Sequence, residues 1–312
     1  MTCLNKNGIL TTCLNKLKGE REMNKERYFL KKYYFEILLV LPMSLYILGF
    51  TIWPIFQSIG MGFTDKYSGQ ISLSNYAYLF QRPNFTKSIA NTIFMALVSL
   101  VFQLIVGLGI ATILKQQFKG KGIIRALVLT PMGIPTLVSG VIAIYIFGTS
   151  GYLNEVLFRL GLIQIPVQWT KGGILGLLVI ILADTWKVLP TMVLLLLSGL
   201  ESIPGDLYEA ADIDGASKWY TFCHVTLPLL KPSITMSVLF RAVDAFRIFE
   251  LPQVLVGQKI PFIATFAYEE YSGGNVNASG AASTILLVII LIFAFLYIKC
   301  IDRGEGFGLE EK

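Results

Sequence analysis

Six stretches of this chain, approximately residues 36–62, 88–114, 124–148, 172–199, 233–256 and 278–299, are apolar over at least the roughly 20 residues that a helix needs to cross a hydrocarbon layer about 30 Å thick. This constrains the fold more than any other feature. Lipid cannot hydrogen-bond a bare peptide group, and a helix satisfies its backbone within one segment. The expected fold class is an all-α membrane protein with six transmembrane helices. Composition agrees, with 54% of the 312 residues hydrophobic and 15% charged, against ~25% charged in soluble domains.

Short cytoplasmic loops hold an excess of Lys and Arg. Most of the 26 such residues fall in 1–35, 115–125, 200–232 and 299–312, so both termini are expected in the cytosol. The net charge of +6 follows from that bias and calls for no nucleic-acid partner. Cys3, Cys13, Cys223 and Cys300 share the cytosolic side, without the spacing of a zinc site or a disulfide framework. The single histidine, His224, reads as a helix-surface or packing residue. The first apolar stretch has full crossing length, so it is expected to be an uncleaved anchor rather than a signal peptide. Thr-Cys-Leu-Asn-Lys occurs at residue 2 and again at residue 12, and Met23 precedes a more typical basic lead-in. Residues 1–22 are therefore read as either an extension or the product of an upstream start.

The connection 63–87 is polar and expected outside, with Tyr67, Tyr76, Tyr78, Phe80 and Phe85 either anchoring at the interface or meeting an external partner. The third stretch contains Pro131, Gly133, Pro135 and Gly140, which should bend a helix. After it, Leu153, Val156, Leu157 and Leu160 recur at helical spacing, as in a short amphipathic segment packed on the bundle. The sequence has no phosphate-binding loop of the form Gly, four residues, Gly-Lys-Ser/Thr, and no recognisable spacing of nucleophile, base and acid. No catalytic or metal-ligating residue is expected.

Between the fourth and fifth stretches lies a polar loop, residues 200–232. Ile203-Pro204 is a helix start signal, with Ser202 as candidate N-cap. Asp206 and Glu209 suit the positive end of the helix dipole, and Gly215 can take the left-handed backbone that ends a helix. A second short helix from Ser217 to Val225 would place Trp219, Phe222 and Cys223 on one apolar side, and Leu227-Pro228 would stop it. The expected product is a helix-turn-helix knob.

Glu209-Ala210-Ala211, three residues, Gly215, nine residues, Val225, Thr226 and Leu227-Pro228 together resemble the EAA loop of bacterial ABC importer permeases, where Ile is commoner at the position of Val225. Further likeness runs through Trp53-Pro54-Ile55, Asn75-Tyr76, Lys121-Gly122, Ile134-Pro135, Gly151-Tyr152-Leu153-Asn154 and the segment from Ala183 to Gly257. It narrows to carbohydrate permeases of the maltose and trehalose type, first-type subunit. The resemblance implies a type I importer permease fold in the bacterial cytoplasmic membrane. It divides the chain into a cytoplasmic N-terminal extension (1–35), a permease domain (36–299) with its coupling loop (200–232), and a cytoplasmic tail (300–312). It also implies two copies of a cytoplasmic ABC ATPase, which would bind ATP and Mg, no cofactor in this chain itself, a second homologous permease, and an extracellular sugar-binding protein. Glu209, Ala210, Ala211, Asp214, Gly215, Leu227 and Pro228 would form the ATPase-coupling surface.

Charges inside crossings cost roughly 2.5–3.5 kcal/mol each and are functional candidates. Asp184 and Lys187 lie in the fourth stretch, and Arg241, Asp244, Arg247 and Glu250 in the fifth. Three-residue spacing would let the last four form a neutral ladder along one helix. A neutral ladder and direct substrate contact both remain open. The resemblance places Trp186, Lys187, Val188, Thr191, Phe240, Val243, Asp244 and Arg247 at positions that line the sugar site of the larger maltose permease subunit, which has neutral amides in place of Asp244 and Arg247. An aromatic face and charged groups suit a sugar ring and its hydroxyls. The implied cargo is a disaccharide or short oligosaccharide. Alternatives are a polyol or glycerol phosphate for the same machine, an ion-coupled secondary transporter using Asp184 or Asp244, and a regulatory membrane scaffold.

Overall fold

The computed structural model describes residues 32–66 and 68–302. The repeated N-terminal motif, Cys3, Cys13, Met23, Tyr67, most of the expected extension and most of the tail lie outside the described residues. The helices long and apolar enough to cross a membrane are Lys32–Gly62, Pro83–Lys115, Thr136–Arg159, Gly173–Ser202, Lys218–Phe246 and Val276–Cys300, here called spans one to six. Among the described residues the extended pairing is confined to a bridge between Thr64 and Ile71. The chain divides into two compact units, residues 1–57 and 58–312. In the first, the apolar side chains of span one, including Leu38, Tyr46 and Phe50, are exposed.

Two spans differ from their expected limits. The stretch 124–148 is not one helix. Lys121–Leu129 runs into a 3₁₀ turn at Thr130–Gly133, Ile134 is extended, and a new helix starts at Thr136. Pro135 explains the break, because its ring forces the preceding residue out of the helical region. Span five begins earlier than expected and ends at Phe246, with a separate helix at Glu250–Leu255. A helix continued through Pro252 would drive the proline ring into the carbonyl of Ile248. Glu250 is therefore not on span five.

Prolines also explain two widened turns. A π-helical turn at Leu48–Ile52 precedes Trp53-Pro54, and another at Phe222–Thr226 precedes Leu227-Pro228. In each, the residue before the proline donates its N–H five positions back, Trp53 to Leu48 and Leu227 to Phe222. Widening moves aside the carbonyl that a proline ring would strike in a regular helix. Leu227-Pro228 thus does not stop the second short helix. That helix continues through the π turn into span five.

Between helices in lipid the driving force is close packing rather than exclusion of water. Gly199 carries it for spans four and five, since a Cβ there would overlap the Ser233 side chain and lie 2.8 Å from a Leu230 methyl. Gly107 does the same for spans two and four against Met192. At one end, Leu79, Phe85, Phe246, Phe266 and Ala281 form a core. At the other, Leu114, Met192, Leu196, Leu200 and Leu230 form a second. The loop aromatics split accordingly. Phe85 is fully buried, Tyr76 packs against the first core, and Phe80 stays exposed. In the short helix Tyr152–Arg159 the buried residue is Asn154, while Val156 and Leu160 are exposed. Asn154 donates to the carbonyls of Thr149 and Val167 and accepts from the Val167 N–H and Trp169 Nε1, at 2.8–3.1 Å. A polar hub, not the leucine stripe, pins that segment.

Candidate coupling loop and intramembrane polar site

The loop between spans four and five is organised by backbone hydrogen bonds of short reach. Ser202 Oγ donates to the Gly199 carbonyl at 2.7 Å, so Ser202 closes span four and is not an N-cap. Ile203 is extended ahead of Pro204, and the next helix, Asp206–Ile213, starts with Asp206 and Glu209 in its first turn. It ends on Gly215, whose φ is +72°, in the left-handed region that glycine enters without a Cβ penalty. The Gly215 N–H reaches the Asp212 carbonyl at 3.1 Å and the Ala216 N–H reaches Ala211 at 2.9 Å. This reciprocal pair is the Schellman pattern, which satisfies carbonyls left open at a helix end. Ser217 Oγ then accepts from the Tyr220 N–H at 3.2 Å and caps the following helix, Lys218–Thr221.

Glu209, Ala210, Asp212 and Asp214 are exposed and Ala211 is half-buried. A groove of about 620 Å³ runs between the two helices, lined by Leu207, Ala210, Ala211, Gly215, Tyr220 and Val225 among others. Ile213 is 85% exposed and Trp219 74%. Trp219 stacks on Phe222, and His224 stacks on Tyr220 with ring centres 4.0 Å apart. Leu227 is half-buried and Pro228 exposed where span five resumes its regular helix.

Inside the bundle, Arg241 is the centre of a polar cluster drawn from three spans. Its Nε donates to Gln103 Oε1 at 3.3 Å, Nη2 to Asp184 Oδ2 at 3.5 Å and Nη1 to Asp244 Oδ2 at 3.2 Å. Gln103 also donates to Asp184 at 2.8 Å, and Arg247 Nη2 to Asp244 Oδ1 at 3.0 Å. Two cations meet two carboxylates, so the cluster is neutral overall. Side-chain exposure rises along it, from 4% for Arg241 and 11% for Asp184 to 40% for Asp244 and 64% for Arg247. The buried end ties spans together, whereas the open end is accessible to a ligand. The expected ladder is corrected in one rung. Among the described residues no ion pair joins Arg247 to Glu250, because the helix stops between them. Gln103 escaped the sequence reading, although an amide in the middle of an apolar span was its signal.

Phe240, Val243 and Asp244 lie on span five and Arg247 follows at its C-terminal end with the same spacing, and the first two are exposed. Trp186 is exposed on span four, with Val188 and Thr191 half-buried. Lys187 Nζ donates to the Met132 carbonyl at 3.4 Å. That carbonyl lies in the broken segment, so Lys187 also serves the break.

Six crossings, a polar cluster open at one end and a two-helix knob between spans four and five define a polytopic membrane permease. The family described as binding-protein-dependent transport system inner membrane component matches residues 103–305, and the chain belongs to it. It is 35% identical over 272 residues to the trehalose/maltose transport system permease protein MalF of Thermococcus litoralis, covering 84% of this chain and 92% of the relative. It is 33% identical over 276 residues to the trehalose transport system permease protein SugA of Mycobacterium tuberculosis, covering 87% of each. With the arabinooligosaccharides transport system permease protein AraP of Bacillus subtilis it shares 30% over 283 residues, 87% of this chain and 90% of the relative. A chain of a bacterial ABC transporter involved in importing the acidic polysaccharide alginate superposes with a TM-score of 0.81 at 22% identity, over 90% of this chain and all of that one. The fold is that of a type I ABC importer permease, as the EAA loop implied.

Proposed function

We propose that this chain is a transmembrane subunit of an ATP-driven importer for a sugar, a disaccharide or short oligosaccharide of the maltose or trehalose kind. The carrying observation is the exposed helix end at Glu209–Gly215. A short rigid helix with small residues Ala210 and Ala211, closed by a Schellman turn, fits a cleft on a separate protein. In this reading both termini lie in the cytosol, and the knob docks there in a dimer of ABC ATPase subunits that bind ATP and Mg. Glu209 pairs with a basic group of the ATPase, while Asp214, Gly215, Leu227 and Pro228 hold the shape of the contact. A second homologous permease completes the pathway, and an extracellular sugar-binding protein delivers the cargo. Closure of the ATPase pair moves the knob and switches access from inside to outside. The relatives named for trehalose, maltose and arabino-oligosaccharides support the sugar class.

On the substrate side, Trp186 and Phe240 offer ring faces, Lys187 a cation, Val188, Thr191 and Val243 the surrounding wall, and Asp244 and Arg247 the hydrogen-bonding pair. Arg247 is already held by Asp244, which suits a neutral sugar better than a phosphate ester. Affinity purification from the native membrane tests the assignment. Recovery of an ATPase, a second EAA-bearing permease and a sugar-binding protein is the expected result. Uptake by the recovered complex should be competed by disaccharides and not by glycerol phosphate. Uptake that survives ATP depletion and collapses with an ion gradient would overturn the reading.

A further inference from the structure

The knob is tied to its own bundle through Tyr208, the residue before Glu209. Lys115 is the last residue of span two, and its Nζ sits 3.9 Å from the centre of the Tyr208 ring. That ammonium is buried and has no hydrogen-bond partner, so the ring face is the group that compensates it. On the other side, Thr226 Oγ1 donates to Tyr208 Oη at 3.2 Å. Thr226 is buried and closes the π turn that opens span five. Tyr208 also packs against the core of Leu114, Leu200, Ile203 and Leu230. Glu209 and Ala210, the next residues of the same helix, are exposed. One side chain of the knob is thus held by two spans while its neighbours present the outer surface.

We infer that Tyr208 is a positioning residue that transmits movement of the knob to spans two and five through Lys115 and Thr226. The inference rests on the proposed coupling to an ATPase. The two contacts differ in what they resist. The cation over the ring tolerates sliding, whereas the hydroxyl bond to Thr226 has one direction and one length. Tyr208 would therefore move with span five and stay attracted to span two as the spans shift against each other. Without it the helix could follow the ATPase and leave the bundle behind.

The test uses the full transporter, this chain with its co-purifying ATPase, second permease and binding protein, in vesicles. For Tyr208→Ala, Tyr208→Phe and Lys115→Met, the readouts are retained ATPase, ATP hydrolysis and sugar uptake. For Tyr208→Ala the ATPase should stay bound while ATP consumed per sugar rises more than about tenfold, because the partly desolvated cation–π contact, worth about that factor by itself, and the hydroxyl bond to Thr226 are lost together. Lys115→Met, which removes the cation without opening the core, should raise the ratio less, and Tyr208→Phe, which keeps the ring, least. Should Tyr208→Ala fail to accumulate, the Lys115→Met ratio decides. A wild-type ratio in these variants overturns the inference. So does loss of ATPase binding by Tyr208→Ala, since Tyr208 would then shape the docking surface. If the unaltered chain recovers no ATPase, the coupling proposal itself falls.

Discussion

In the loop between spans four and five, the bonds that shape the turn reach only a few residues, from Gly215 to Asp212 and from Ala216 to Ala211. In the bundle, Arg241 bonds to Asp184, 57 positions away, and to Gln103, 138 positions away. Both regions are polar structures attached to an apolar scaffold, yet they fail differently. A local turn depends on what one residue's backbone can do, so a change there alters shape and leaves the bundle intact. A cross-helix cluster depends on mutual compensation of buried charge, so a change there threatens assembly. The first kind of site can lie exposed at the surface, and the second holds the spans together.

The local turn is most sensitive at Gly215. Gly215→Pro cannot adopt a φ of +72°, because proline is held near −65°. Transport should fall to background while the protein still reaches the membrane and loses its ATPase, as measured by labelled-sugar uptake and pull-down. Gly215→Asn, which tolerates the left-handed region, should retain most uptake. Normal transport by Gly215→Pro would mean that the turn is not the coupling element.

Removing one partner of the buried cluster comes next. Asp184→Ala leaves Arg241 without its deepest counter-charge and should cost roughly 3–5 kcal/mol, the range for a broken buried pair. Thermal unfolding of the detergent-solubilised complex reads this. Asp244→Ala, at the half-exposed end, should cost less stability and chiefly raise the KM for uptake. Equal stability losses at both ends would erase the distinction between the closed and open halves of the cluster.

Close backbone packing gives a smaller effect. Gly199→Ala places a methyl against Ser233 and should cost about 1–3 kcal/mol by overpacking, with partial relief in Gly199→Ala/Ser233→Gly. The smallest effect is expected at Arg159, whose 2.7 Å pair with Glu155 is largely exposed. Arg159→Ala should change stability by no more than about 0.5 kcal/mol and leave uptake unchanged. A larger loss would mark the helix Tyr152–Arg159 as a contact surface.

Much of this protein was legible before any coordinates. Six crossings follow from apolar length, because lipid leaves a backbone no other partner. The helix end at Gly215 follows from one residue type at one spacing. What failed was placement along the chain. Pro135 and Pro252 are visible in sequence, but whether a helix bends, widens or breaks at a proline depends on what receives the freed carbonyl. At Pro135 the freed Pro131 carbonyl takes the Ile134 N–H at 3.2 Å and the helix breaks, whereas the turns before Pro54 and Pro228 widen instead. Ser202 had the chemistry of a cap and was spent closing span four.

The sequence by itself determined the class, the number of crossings and the glycine turn at Gly215, since these rest on length, periodicity and local backbone freedom. Only the tertiary structure decided that Gln103 and Asp184 would share Arg241, that Glu250 would leave the ladder, and that Tyr208 would bridge Lys115 and Thr226. Those contacts join residues from different spans, and the register in which helices pack is set by side-chain shape across the bundle, which no spacing within one helix encodes.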